Sequence, residues 1–306
     1  MKIVIGTRGS ELARTQAQMV SDVLRGRWSQ LTIETKVIRT SGDERKIDME
    51  TSRAGRKGLF TAEIERALLA EDVDLAVHSA KDLPSELSAG TDIAAVLPRA
   101  PTDDVLAAIE PWNMESLPGS AIVATGSVRR KHQLRWKRPD LDIVDLRGNV
   151  PTRLRKLATN QWHAIVLARA GLDRLGHNIA SGHIYFEGSE FFTEVLPEEI
   201  FLPAGGQGVI GIQIRSKDER AQLLLEPLND FDTRLCLRAE REFLRLLHGD
   251  CNQPVGVLAT INATVMKMRA QVFDLEATTP REAVVEGPSK DAERLAAQLL
   301  REINVQ

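Results

Sequence analysis

The sequence has two cysteines, one tyrosine and four tryptophans in 306 residues. Two thiols do not make a disulfide framework in a chain of this size. Aromatic residues amount to 4%, too few for base-stacking platforms or an aromatic membrane belt. No stretch reaches the roughly 18 apolar residues of a transmembrane helix, and the run after Met1 is too short for a secretory signal. Charge of one sign is missing too. Lys+Arg 40 against Asp+Glu 43 leaves −3, which advertises neither nucleic acid nor an anionic membrane as a partner. Neither cysteine has a second Cys or His at zinc-site spacing, and the six histidines are scattered, so no metal is expected. The expectation is a reduced, cytoplasmic protein.

What is present is an ordinary globular composition, 42% apolar and 27% charged, long enough for two or three domains of roughly 100–200 residues each. The first half alternates strand and helix patterns. Lys2–Gly6 reads as a buried strand, and Leu12, Gln16, Met19, Val20 and Val23 follow at helical spacing. A strand over 31–37, a helix over 62–69 and strands over 74–77 and 92–97 complete one α/β unit. The polar stretch 39–58 has no period, and structureless loops this long usually act as lids. A second α/β unit begins near Pro101, with strands over 121–124, 142–146 and 164–167 and helices over 128–137, 151–159 and 170–175. Residues 176–200 read as irregular. Pro203-Ala204-Gly205-Gly206-Gln207-Gly208 then leads into a strand over 209–214. After Asp218 the texture changes to two helices, three strand-like runs and a final helix from about Asp291, a separate α+β domain.

Among 40 basic residues, 29 are Arg and 11 Lys. Arg grips carboxylate or phosphate in a planar fork, so its placement matters. Thr125-Gly126-Ser127 opens a helix whose first turn holds Arg129, Arg130 and Lys131. Arg147-Gly148-Asn149 opens another containing Arg153, and Arg8-Gly9-Ser10 opens the first. Cations at a helix N-terminus oppose its dipole by roughly 0.3–1 kcal/mol each. The pattern makes sense when an anion is held there by free N–H groups, capping hydroxyls and guanidiniums together. The alternatives are solvated surface arginines or pairs with acids of the opposite domain. Three such junctions, at strand ends where open α/β sheets bind ligands, point to a polyanion in a cleft between two lobes. No phosphate-loop signature accompanies them.

His78-Ser79-Ala80-Lys81-Asp82-Leu83-Pro84 follows a predicted strand, and Pro84 keeps these polar residues on a loop. Asp82 reads either as a turn residue or as a carboxyl able to donate and recover a proton in a cationic cleft. His78 reads as a satisfied core histidine. Cys236 shares a helical stripe with Ala239, Phe243 and Leu247 and reads as inert core. Cys251, in the turn-rich His248-Gly249-Asp250-Cys251-Asn252, is a reachable thiol and a candidate attachment point.

Together these residues resemble one family, hydroxymethylbilane synthase, also called porphobilinogen deaminase. The resemblance runs through Thr7-Arg8-Gly9-Ser10, Gly58-Leu59-Phe60, Val77–Pro84, Gly126-Ser127-Val128-Arg129-Arg130, Leu146–Leu154, Ala170-Gly171-Leu172, Leu202-Pro203-Ala204 with Gly206-Gln207-Gly208, and Cys251. It implies an α/β fold: two periplasmic-binding-protein-like lobes, 1–99 with 200–217 and 100–199, and a small C-terminal α+β domain over 218–306 that carries the cofactor. The implied cofactor is dipyrromethane, thioether-linked to Cys251. The implied reaction, that of a transferase, condenses four molecules of porphobilinogen onto it and hydrolyses the product free as hydroxymethylbilane. Asp82 would protonate each departing amine, help form the azafulvene electrophile and assist the later deprotonation. Ser79, Lys81, Asp82, Thr125, Ser127, Arg129, Arg130 and Arg147 would bind the cofactor. Arg8, Ser10, Lys57, Phe60, Arg147 and Arg153 would bind substrate. The resemblance further implies a monomer without nucleic-acid or membrane partners, its product passing to a uroporphyrinogen-III synthase.

Two positions depart from the family pattern. Asp250 stands where a glycine is common and disfavours the neighbouring thiolate. Arg56 replaces a frequent glycine before Lys57. A non-catalytic anion binder on the same frame would need neither Asp82 nor Cys251, and a nucleic-acid binder would carry a net positive charge.

Overall fold

The computed structural model describes residues 1–39, 58–247, 254–274 and 278–305. In the first α/β lobe, β1 (Lys2–Arg8) lies parallel to both β2 (Thr32–Ile38) and β3 (Leu75–Ser79). Helix α1 (Glu11–Arg27) starts where the Ser10 hydroxyl accepts a hydrogen bond from the Ala13 amide at 3.3 Å, offsetting one orphan donor of the first turn. Its Ala17, Val20 and Leu24 recur at helical spacing and are wholly buried against Ile3, Ile5, Leu75 and Val77. Full burial of such an aliphatic side chain contributes about 1.5–3 kcal/mol. Helix α2 (Gly58–Leu69) covers the other face through Ile64 and Leu68.

The chain leaves this sheet after β4 (Thr91–Val96) and returns to it as β11 (Ile210–Arg215), giving the order β2-β1-β3-β11-β4 with β11 antiparallel to β3 and β4. The excursion builds a second sheet from β5 (Asp104–Ala108), β6 (Ile122–Ala124), β7 (Asp142–Val144), β8 (Ala164–Ala168), β9 (His183–Phe186) and β10 (Ser189–Val195), in the order β7-β6-β8-β5-β10-β9. Helices α3 (Val128–Lys137), α4 (Val150–Thr159) and α5 (Arg169–Arg174) accompany it.

Three features differ from the sequence reading. Residues 176–200 are not irregular, because β9 and β10 form a hairpin within them. β5 is an additional strand, fully buried and antiparallel to β8 and β10. The first strand also runs on through Thr7 and Arg8, which pair with Val37 and Ile38 of β2.

The two crossings between lobes touch. Ala100 donates to the Gly208 carbonyl at 3.2 Å, and a Cβ at Gly208 (φ +84°) would meet Ala100 O at 2.3 Å. Gly206 (φ +75°) lies so close under the Ala80–Lys81 peptide that a Cβ would be 3.0 Å from it. Only glycine fits both positions without strain.

After α6 (Glu219–Leu225), the remaining chain forms the three-stranded antiparallel sheet β12 (Val255–Asn262), β13 (Val265–Val272) and β14 (Arg281–Pro288). Alternate residues Val257, Ala259, Met266, Met268 and Val285 pack against α7 (Phe231–Leu246) and α8 (Ala292–Val305). Among the described residues no helix is long and apolar enough to cross a membrane.

Candidate active site

The site forms at the carboxyl end of β3, where the strand passes into a single 3-10 turn over Ala80–Asp82. Ala80 donates to the Val209 carbonyl at 2.9 Å, so the turn is held by the returning strand and by the close approach of Gly206. Ser79 is bonded to Gln16 of α1 at 2.8 Å. A cavity of about 60 Å³ lies here, lined among others by Arg8, Ser10, Gln16, Thr61, Ser79 and Asp82. A larger hollow of about 290 Å³, against Glu198, Lys267 and Arg269, contains none of the candidate residues.

Cations of the second lobe are felt at this turn. Burial pulls the Lys81 ammonium down to about 8, with Asp82 and Asp104 opposing and Arg130 and Arg153 assisting. Arg153 is lowered to about 10, first by burial and then by Arg130, while Asp82 works the other way. Lys81 and Asp82 thus share one electrostatic neighbourhood with residues of α3 and α4 across the cleft. Arg153 donates Nε to Gly148 O at 2.7 Å. Arg147 is exposed on the loop before α4, next to the Asn149 cap that accepts from Thr152 N at 2.9 Å.

Helix α3 shows how its basic first turn is tolerated. Ser127 caps it, accepting from the Arg130 amide at 3.4 Å, and Thr125 accepts from Ser127 N at 3.3 Å. The guanidiniums of Arg129 and Arg130 are buried and converge on Asp104 of β5, which is 0% exposed. Arg129 Nη2 reaches Oδ2 at 2.9 Å, while Arg130 reaches Oδ2 through Nε at 3.0 Å and Oδ1 through Nη2 at 2.7 Å. Burial resists ionisation of Asp104, but the two arginines overcome it and hold the carboxyl well below the usual carboxylate range. The partner is therefore neither solvent nor an acid of the opposite lobe; it belongs to the same sheet.

His78 is buried, as expected for a core histidine, yet it is not satisfied: Nε2 has no hydrogen-bond partner. Burial pulls its pKa down to about 4, so the ring is neutral near pH 7. The buried Cys236 thiol is pushed up to about 12 by burial and then by Glu240, which keeps it protonated and inert.

Lys57, Arg56, Asp250 and Cys251 lie outside the described residues, as does nearly all of the expected lid over 39–58; Phe60 lies in α2, with its side chain outside the description. Sequence reasoning also missed four residues that the structure brings in: Gln16, Thr61, Asp104 and Gln207. Gln16 carried a usable signal, since a polar residue on the buried stripe of an amphipathic helix needs a partner.

Two family models match the chain. Residues 3–223 match "Porphobilinogen deaminase, dipyromethane cofactor binding domain" and residues 234–304 match "Porphobilinogen deaminase, C-terminal domain". The porphobilinogen deaminase of Moorella thermoacetica is 42% identical over 303 residues, covering 99% of this chain and 93% of that one. That of Roseiflexus sp. (strain RS-1) is 45% identical over 270 residues, covering 88% and 85%. Among solved structures, the methionine-binding protein MetQ aligns over 81% of this chain and 96% of its own, with a TM-score of 0.46 and 14% identity.

Proposed function

This chain belongs to the porphobilinogen deaminase family, and on that premise we propose how its residues divide the work. The protein is a transferase that condenses four molecules of porphobilinogen head to tail onto a covalently bound dipyrromethane cofactor. Ammonia leaves at each addition, and hydrolysis then releases linear hydroxymethylbilane. When bound, the dipyrromethane supplies the nucleophilic pyrrole carbon on which growth starts.

Our reading divides the chain into a first lobe of 1–99 with 200–217, a second of 100–199 and a third domain of 218–306. Membership of β11 in the first sheet and β5 in the second supports this division. The two lobes cradle the cofactor, and Cys251 of the third domain anchors it. The residues present fit such a polyanion: Arg129 Nε is buried without a partner, and Lys81, Arg130 and Arg153 act on one another in a neighbourhood holding, among the described residues, only the carboxylates of Asp82 and Asp104. Ser79, Lys81, Asp82, Thr125, Ser127, Arg129, Arg130 and Arg147 form the cofactor-binding set in this assignment. Arg8, Ser10, Lys57, Phe60, Arg147 and Arg153 form the substrate set.

Asp82 is the catalytic residue. It delivers a proton to the departing amine nitrogen of each porphobilinogen. It takes back the proton shed by the pyrrole carbon once the new carbon–carbon bond has formed, so the hydrogen lost from the chain leaves with ammonia. The observation that carries this assignment is the placement of Asp82 on the 3-10 turn after β3 and on the lining of the adjoining cavity, where its charge acts on Lys81 of one lobe and Arg153 of the other. Those cations hold carboxylates of the chain, and a carboxylate arriving beside Lys81 favours its charged form. To this reading we add a cytoplasmic monomer whose product passes to a uroporphyrinogen-III synthase.

The test is the intact mass of the denatured protein after exposure to porphobilinogen, for wild type, Cys251→Ser and Asp82→Ala. We expect an excess of two pyrrole units on wild type and none on Cys251→Ser. Asp82→Ala should keep that excess and stall elongation. Normal product formation by Asp82→Ala would remove Asp82 from the mechanism, and an excess on Cys251→Ser would move the anchor.

A further inference from the structure

Asp104 is the first residue of β5, directly after the outward crossing, and no part of it reaches solvent. It receives three guanidinium contacts from Arg129 and Arg130, and a fourth contact from the Gln207 amide at 2.9 Å. Gln207 also donates to Thr102 O at 2.6 Å, so this carboxylate is tied to the outward and the returning crossing at once. Arg130 is fixed further by Val166 O at 2.9 Å, and Arg129 by Leu202 O and Gln133 Oε1, each at 2.8 Å.

Each guanidinium carries five N–H donors. The contacts above use three on Arg129 (Leu202, Gln133, Asp104) and three on Arg130 (Asp104 twice, Val166), leaving two on each. One of those left over, Arg129 Nε, is buried and unpartnered. A buried donor without an acceptor needs an explanation, and an acceptor outside the protein supplies one. Arg130 meanwhile projects its field onto Lys81 and Arg153. A fork held this firmly keeps its spare donors in fixed positions, whereas an unheld arginine would have to be ordered at each binding event.

We propose that Asp104 is the positioning residue of this site, holding Arg129 and Arg130 in the orientation in which their spare N–H groups meet carboxylates of the bound pyrrole chain. The proposal rests on the ligand set assigned above. It makes Asp104 more than a counter-charge: a carboxylate elsewhere near these arginines would neutralise them without aiming them. Through Gln207 the same carboxylate fixes the arginine pair relative to both crossings, and hence to the Ala80–Asp82 turn packed on Gly206.

The experiment compares wild type, Asp104→Asn, Arg129→Gln and the double variant after exposure to porphobilinogen. It reads the fraction bearing two pyrrole units by intact mass, the unfolding midpoint, and kcat and KM of the loaded fraction. Asp104→Asn should lower the loaded fraction and raise KM by about 10–100-fold, the scale of a misplacement near 1 Å. The double variant has one buried cation fewer, so it carries the comparison when Asp104→Asn alone does not fold. It should load less and show a higher KM than Arg129→Gln, because Arg130 is still unheld. Equal loading and equal KM for those two, whatever their midpoints, would reduce Asp104 to a counter-charge and overturn the proposal. A wild type that gains no mass would instead overturn the ligand assignment itself.

Discussion

Acid should loosen the first lobe through His78. The imidazole is 5% exposed on β3. Burial, aided by Arg8 of β1 and opposed by Glu65 of α2, Gln213 of β11 and Asp82, pulls its pKa down to about 4. An unfolded histidine titrates near 6.5. The folded value is depressed, so the unfolded chain takes the proton first. The stability that comes from keeping His78 neutral is complete above about pH 6.5 and is lost as pH falls from there through about 4. Linkage over that interval puts the loss at about 2 kcal/mol between pH 7 and pH 5, and about 3 kcal/mol once pH is well below 4.

The assay is chemical denaturation of wild type and His78→Gln at pH 7 and pH 5. Gln keeps polar bulk but cannot take up the proton, so other titrating groups cancel in the difference. Wild type should lose about 2 kcal/mol more than the variant on acidification. Parallel losses, agreeing within about 0.5 kcal/mol, would refute the argument, since surface-scale effects are that small.

Two further outcomes are expected. Glu240 is 0% exposed, pairs with Arg99 at 2.6 and 3.1 Å, and accepts the Gly206 and Ala259 amides at 2.7 and 2.8 Å. Glu240→Ala should therefore cost about 3–5 kcal/mol in denaturant unfolding, a large part of a typical total, and a loss under about 1 kcal/mol would show that water replaces the carboxylate at no great cost. Arg147→Ala should leave stability within about 0.5 kcal/mol of wild type and lower kcat/KM by about 10–100-fold, the value of one charged hydrogen bond; a large stability loss with unchanged kinetics would make Arg147 structural.

The alternation of strand and helix was legible because each early element has its own period. Ile3-Val4-Ile5 is a short apolar run, and helical spacing marks α1, although only Gln16 and Val20 of the stripe read from sequence are buried: Met19 and Val23 are exposed, and the buried face runs through Gln16, Ala17, Val20 and Leu24. The hairpin of β9 and β10 was not legible. Its turn is Glu187-Gly188, both at positive φ (48° and 82°), where asparagine or aspartate before glycine gives the recognisable signal. β5 was hidden for another reason: five buried residues, Asp-Val-Leu-Ala-Ala, carry no alternation, and Asp104 makes their start look like a loop. The same residue explains what was missed in the site. Cations at a helix start reveal a need for negative charge, but whether it comes from a ligand or from a strand 25 positions away is a tertiary fact. Glu240 was hidden likewise, between Arg238 and Arg241 on a helix that reads as solvated there.

The charges at this site do not balance, and under the assignment proposed above the imbalance has a chemical use. Asp104 offers one negative charge to Arg129 and Arg130, and Asp82 offers one to Lys81 and Arg153. Counting these six groups with Lys81 protonated gives +4 against −2, a surplus of +2, beside a helix terminus that is itself positive. The surplus costs stability in the empty cleft and disappears when carboxylates arrive. Each pyrrole unit brings two of them, so one unit neutralises this cluster and every later unit must find cations farther out. Arg147, exposed just before α4, is the residue our assignment gives that role. A chain that must move as it grows is served by arginines aimed in advance and partly engaged, because tight ground-state binding of any one length would slow the next addition.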